Sequence, residues 1–179
     1  VASVAQPKAD STMNYTNKIS IDSASSLRTT GTEGDIILRA YDDMLLQVGA
    51  YANSYVGVVT VPAADTINNL TRSNIITVDG TIVGERKVSL LAGDAGGTSL
   101  NGLTAVIDAQ AYSGGLVCAN DNSLKNSITE NETITISSGA TVSSVAALTL
   151  TASEGTVKIE TNNIQGTIWN CDGARDTNS

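Results

Sequence analysis

Asn17-Lys-Ile-Ser-Ile-Asp22, Asn74-Ile-Ile-Thr-Val-Asp79 and Glu132-Thr-Ile-Thr-Ile-Ser137 are variants of one strand, with Ile19, Ile76 and Ile134 in equivalent places. The copies lie 57 and 58 residues apart. Each passes through a turn of small residues into a second apolar strand: Asp35-Ile-Ile-Leu-Arg-Ala40, Lys87-Val-Ser-Leu-Leu-Ala92 and Ala147-Leu-Thr-Leu-Thr-Ala152. A third similarity sets Gly49-Ala-Tyr-Ala-Asn-Ser54 against Gln110-Ala-Tyr-Ser-Gly-Gly115. Self-similarity at a long fixed period marks an architecture that grows by stacking equivalent units.

The repeats divide the chain. Residues 17–73 form a first unit, 74–130 a second, and 131–179 a third that stops early. Residues 1–16 match the end of a unit, because Pro7 to Thr16 aligns with Pro62 to Thr71 without a gap. They are therefore expected to be the tail of a preceding unit, the tail that the third unit lacks after Cys171. Within a unit apolar alternation recurs about every ten residues, as Ile19/Ile21, Ile36/Leu38, Leu46/Val48, Val56/Val58 and then Ile67. Alternation of period two suits strands with one face buried. Turn signals such as Asp79-Gly80, Ser113-Gly-Gly115 and Ser138-Gly139 separate them. The expected fold is all-β, a parallel β-solenoid of about 57-residue repeats with about two turns per repeat. A β-sandwich is the alternative.

Composition agrees. The 179 residues are 41% apolar, with no Phe and one Trp, so packing falls to Val, Ile, Leu and Ala. Ser, Thr, Asn and Gly favour short strands and turns. The net charge is −8, with the ten cations scattered, which makes nucleic acid and anionic membrane surfaces poor partners. No apolar run reaches the ~18 residues that a membrane span needs. The chain starts at Val1 without an initiator Met or signal pattern, and is expected to be a processed product or an excised piece.

Asn131-Glu-Thr-Ile-Thr-Ile-Ser-Ser-Gly-Ala-Thr-Val142 and Asp79-Gly-Thr-Ile-Val-Gly-Glu-Arg-Lys-Val-Ser-Leu-Leu-Ala-Gly-Asp94 resemble repeat units of very large repetitive bacterial exoproteins of the haemagglutinin/adhesin type. The resemblance runs along essentially the whole chain. It implies a secreted or surface-displayed β-helical rod used in adhesion, matrix or filament building, and no catalytic residues.

Candidate sites are few. Histidine is absent, which removes Ser-His-Asp and Cys-His catalysis and imidazole metal sites. No glycine-rich loop precedes a Lys-Ser/Thr helix start. The paired acids Asp42/Asp43 and Glu130/Glu132 fall in expected turns, as solvated groups. Calcium is the one metal the sequence keeps open: Asp42, Asp43, Asp94 and Asp121 lie in turns that could stack, although the calcium-binding nonapeptide of β-rolls is missing. Asn14, Asn69 and Asn131 begin Asn-x-Ser/Thr sequons, of use only in a host that glycosylates, with Asn14 and Asn69 as repeat equivalents. Tyr41, Tyr51, Tyr55, Tyr112 and Trp169 could stack on carbohydrate, and Tyr51 and Tyr112 share a repeat position.

Cys118 and Cys171 are 53 residues apart, close to one repeat. A disulfide between them needs adjacent turns of the coil, since strands are spaced ~4.8 Å and bridged Cα atoms lie ~4.4–6.8 Å apart. Two buried thiols or partners in another subunit are the other readings.

The leading function is a structural segment or subunit of an extracellular filament or adhesin, without catalysis. Its partner is itself, head-to-tail, or neighbouring repeats of a giant parent. Residues 1–16 would complete the last turn of a neighbour, with Val1, Val4 and Met13 giving apolar contacts. A module binding glycans or a cell surface is the runner-up. A polysaccharide-acting β-helix enzyme is a remote third.

Overall fold

The computed structural model describes residues 2–54, 57–93, 102–115, 117–118, 120–167 and 175–178. In chain order the strands are β1 (Ala2–Ala5), β2 (Lys8–Ile21), β3 (Ser26–Arg28), β4 (Asp35–Ala40), β5 (Asp43–Ser54), β6 (Val59–Pro62), β7 (Asp65–Val78) and β8 (Thr81–Gly84). There follow β9 (Lys87–Gly93), β10 (Gly102–Ser113), β11 (Val117–Cys118), β12 (Asp121–Ile136), β13 (Thr141–Ser144), β14 (Ala147–Ser153), β15 (Thr156–Thr167) and β16 (Arg175–Asn178). Among the described residues there is no helix, so none is long and apolar enough to cross a membrane.

Every pairing is parallel and joins strands from successive repeats. The first sheet is β1-β6-β11, the second β2-β7-β12-β16, the third β3-β8-β13, the fourth β4-β9-β14 and the fifth β5-β10-β15. The chain visits these five sheets in the same order three times and then returns to the second. Parallel neighbours need a long crossover between them, and here that crossover is the rest of the repeat.

The register tests the sequence reading residue by residue. Ile76 faces both Ile19 and Ile134, and Lys87 faces both Asp35 and Ala147, as the repeat predicts. The expected two turns per repeat is corrected to one: Lys18 pairs with Ile75 and Ile75 with Thr133, a full repeat away each time. Strands within a repeat enter different sheets and so leave their edges to the next repeat. The ungapped match of Pro7 with Pro62 is also corrected. Ala5 faces Pro62 and Lys8 faces Asp65, a shift of two residues. Because β2 is unbroken from Lys8 to Ile21, its start must keep the register that Ile19 sets. The repeat boundaries at 16/17, 73/74 and 130/131 thus fall inside β2, β7 and β12.

One face of each strand turns inward. On β7 the inward row is Thr66, Asn68, Leu70, Arg72, Asn74, Ile76 and Val78, all buried. Ile67, expected on the apolar face, is outward, since strict alternation from Ile76 assigns odd positions to the surface. Two apolar clusters result. Ile36, Ala40, Ile76, Val78, Ile82, Val88 and Leu90 make one. Leu46, Leu70, Leu103, Ile107, Leu124 and a series of alanines make the other.

Turns stack as closely as strands. Gly80 rests on the preceding turn, where an added Cβ would overlap the carbonyl oxygens of Asp22 and Ser25. Thr81 N donates to Ser25 O at 3.0 Å, and Thr141 N to Gly80 O at 3.0 Å, which carries the ladder around the corner. In the third copy of this turn Gly139 takes φ +91°, a backbone conformation that side chains disfavour.

Candidate functional site

A polar belt lies between the two apolar clusters. Along β7, Arg72 and Asn74 separate Leu70 from Ile76, and between β4 and β5, Asp42 separates Ala40 from Leu46. Arg72 has no exposed surface; its Nη1 donates to Gly102 O at 3.0 Å and lies 3.3 Å from Asp42 Oδ1, while Nη2 pairs with Glu130 Oε1. Asn17 donates to Asn74 Oδ1 at 3.0 Å, and Asn74 to Glu132 Oε1 at 3.2 Å. A cation buried this far from water is tolerable only when paired and hydrogen-bonded. The belt supplies both from all three circuits.

Asp42, Glu130 and Glu132 were expected as solvated turn acids. The structure places Asp42 at the buried entry to β5 and the two glutamates on the inward row of β12. Burial pushes the Glu130 carboxyl above its ordinary range, outweighing the opposing pull of Arg72. The clue in the sequence was a single alternation: Glu130 and Glu132 share the parity of Ile134, so they had to face inward with it.

The calcium candidates do not come together. Asp42 is held by Arg72, Asp43 faces Gly102, and Asp121 faces Arg175. Asp94 lies outside the described residues. Among the described residues no three acids or cysteines are placed to hold a metal ion. The sequons sit on outward, exposed positions, but Asn14 faces Thr71 and Asn69 faces Thr12, so the two are not equivalents. Cys171 lies outside the described residues, and Cys118 faces Thr60.

The outer face of the fifth sheet carries a second polar group. Tyr51 is 56% exposed, and its Oη donates to Asp108 Oδ2 at 3.0 Å. Asn162 Nδ2 donates to Asp108 Oδ1 at 2.8 Å. The three come from β5, β10 and β15, one per circuit. Asp108 beside it pushes the Tyr51 phenol above its usual value, so it stays a donor at neutral pH. The supposed equivalence of Tyr51 and Tyr112 is corrected: Tyr51 faces Gln110 and Tyr112 faces Asn53. The similar segments are offset by two residues from the true register, a slip that preserves the face and so escapes a pattern search. Tyr41 is exposed with Arg39 over its ring at 5.9 Å, while Tyr55 and Trp169 lie outside the described residues.

The stack ends in open edges. Val4 and Met13, expected as contacts to a neighbour, face Val61 and Leu70 of their own chain, and Val1 lies outside the described residues. What remains unpaired by described residues on the first circuit is the opposite edge of β1 to β5, and at the other end the free edges of β13, β14, β15 and most of β12. Inward residues at the latter end stay half-exposed, Leu150 at 47% and Ile159 at 48%. No family model, curated protein or solved structure matches the chain.

Proposed function

We propose that this chain is a non-catalytic segment or subunit of an extracellular parallel β-solenoid filament or adhesin, continued by head-to-tail stacking. The observation that carries the reading is the match between its two open ends. Through their shared middle partners, Ile36 and Leu148 occupy one column, as do Leu38 and Leu150, Met44 and Val157, and Leu46 and Ile159. A second copy laid on the far end would bring each of these pairs together, together with Met13 on Ile128 and Ile19 on Ile134. Asp10 would meet Lys125 on the outside, and Asn17 would meet Glu132 within, repeating the present contact of Asn74.

Magnitudes support stacking. Completing the burial of each half-exposed aliphatic contributes roughly 1 kcal/mol, and around ten such residues offset an association cost of about 4–15 kcal/mol. Main-chain ladder bonds add direction. The contact is heterologous and does not close, so it propagates as rods. It starts at Lys125, because β16 already covers Asp121 to Leu124.

Leu150→Lys with Ile159→Lys tests the reading. These side chains are half-exposed in the single chain, so the double variant is expected to fold but to stay monomeric under electron microscopy, where the parent forms rods. A parent that stays compact and monodisperse when concentrated, or a variant that forms rods equally well, overturns it.

A further inference from the structure

We infer that the outer face of the fifth sheet is a carbohydrate site, in which the Tyr51 ring is a platform for the C–H face of a neutral pyranose and Asp108 and Asn162 bind its hydroxyls. The site is built within one chain and does not depend on end-to-end stacking.

The ring is laid down rather than standing free. An added Cβ at Gly49 would lie 2.8 Å from Tyr51 Oη and 3.0 Å from its Cε2, so the phenol folds back across the place where Gly49 has no side chain. Its hydrogen bond to Asp108 pins the far end. Any other residue at position 49 would lift the ring. A flat, exposed, immobilised aromatic face offers apolar area at little entropy cost. Nothing in the chain covers it, with more than half of the residue open to solvent.

The polar groups beside the ring suit hydroxyls. Gly49, Asp108 and Asn162 share one column across three strands, so the carboxylate and the amide lie in a row beside the ring. A carboxylate has about four acceptor positions. Tyr51 and Asn162 take one on each oxygen, which leaves Asp108 able to accept from two neighbouring sugar hydroxyls. The side-chain oxygen of Asn162 adds an acceptor and its second N–H a donor.

Charge selects among sugars. Asp108 is joined on this face by Asp43 and Glu160, the nearby Lys158 is paired to Glu160, and the chain as a whole carries −8. Sialylated, sulfated or uronic glycans would meet repulsion without a free cation to offset it. The face is a flat sheet surface, so a peptide would find neither groove nor free edge.

Single-site affinity for such a platform is weak, about millimolar, so the assay uses polyacrylamide-linked galactose, glucose, mannose and N-acetylglucosamine, read by biolayer interferometry on immobilised full chain. At least one neutral probe is expected to bind, while sialic acid and sulfated galactose probes do not. Tyr51→Ala should weaken binding about tenfold, Asp108→Asn should weaken it, and Tyr51→Phe should hold most of the stacking. Tyr41→Ala, remote and equally exposed, should change nothing. Circular dichroism verifies that each variant is folded, and unchanged rod formation by Tyr51→Ala separates this site from the assembly reading. Absence of binding to every neutral probe, a preference for the anionic probes, or full binding by folded Tyr51→Ala overturns the assignment.

Discussion

Arg72 shows what one residue does in this molecule. Its guanidinium is the single cation of the belt, facing Asp42 and Glu130 with no water contact. Removing one partner from a buried ion pair leaves the others uncompensated, so Arg72→Met is expected to lose about 3–5 kcal/mol of stability, measured by urea unfolding. Adding Asp42→Asn and Glu130→Gln should restore much of that loss; a single variant as stable as the parent would rule out the pairing. Glu130 also sets a pH dependence. Its folded value is raised, so its contribution is full below the unfolded value and is lost as pH rises through the folded one. Asp35, lowered by Arg86, acts in the opposite sense and loses its contribution as pH falls through its folded value, but it is exposed and weighs little. Urea midpoints across the acid range should therefore fall less steeply with rising pH in Glu130→Gln than in the parent. The inward direction of Glu130 was legible from its parity with Ile134; its partner Arg72, across the stack, was not.

At the scale of elements, the second and fourth sheets follow the sequence closely, because Ile-x-Ile and Leu-x-Ala patterns recur with no gap between copies. The fifth does not. There β5 and β10 pair at a spacing of 59 residues and β10 and β15 at 54, differences taken up in the loops. Those spacings bear on the cysteines. Ser113 faces Thr167 and Asp121 faces Arg175, both 54 residues on, so by chain count Cys171 falls one circuit beyond Cys118, with 53 residues between them. The objection that two strand spacings separate them is removed, since one spacing is within disulfide reach. Mass spectrometry of alkylated, unreduced protein is expected to find no free thiol; two alkylated cysteines would exclude the bridge.

For the whole molecule, the ends matter more than the middle. Since β16 occupies the columns of Lys8 and Ala9 above β12, a stacked neighbour engages from Asp10 onward. Removing residues 1–9 should leave rod formation unchanged in sedimentation, whereas removing 1–16 strips Met13 and Tyr15 from the contact and should shorten or abolish rods. Equal assembly by both truncations would sink the stacking register. The sequence by itself determined the repeat, the all-β composition, the inward rows of β2, β4, β7, β9, β12 and β14, and the absence of histidine chemistry, because period and alternation are local properties of the chain. Only the tertiary structure decided that a repeat closes in one circuit, that two acids and an arginine from three circuits share a belt, and that Tyr51 leans over Gly49 toward Asp108. Each of those depends on which residues a full repeat apart come to lie side by side, and a slip of two residues there leaves every alternation intact while exchanging every neighbour.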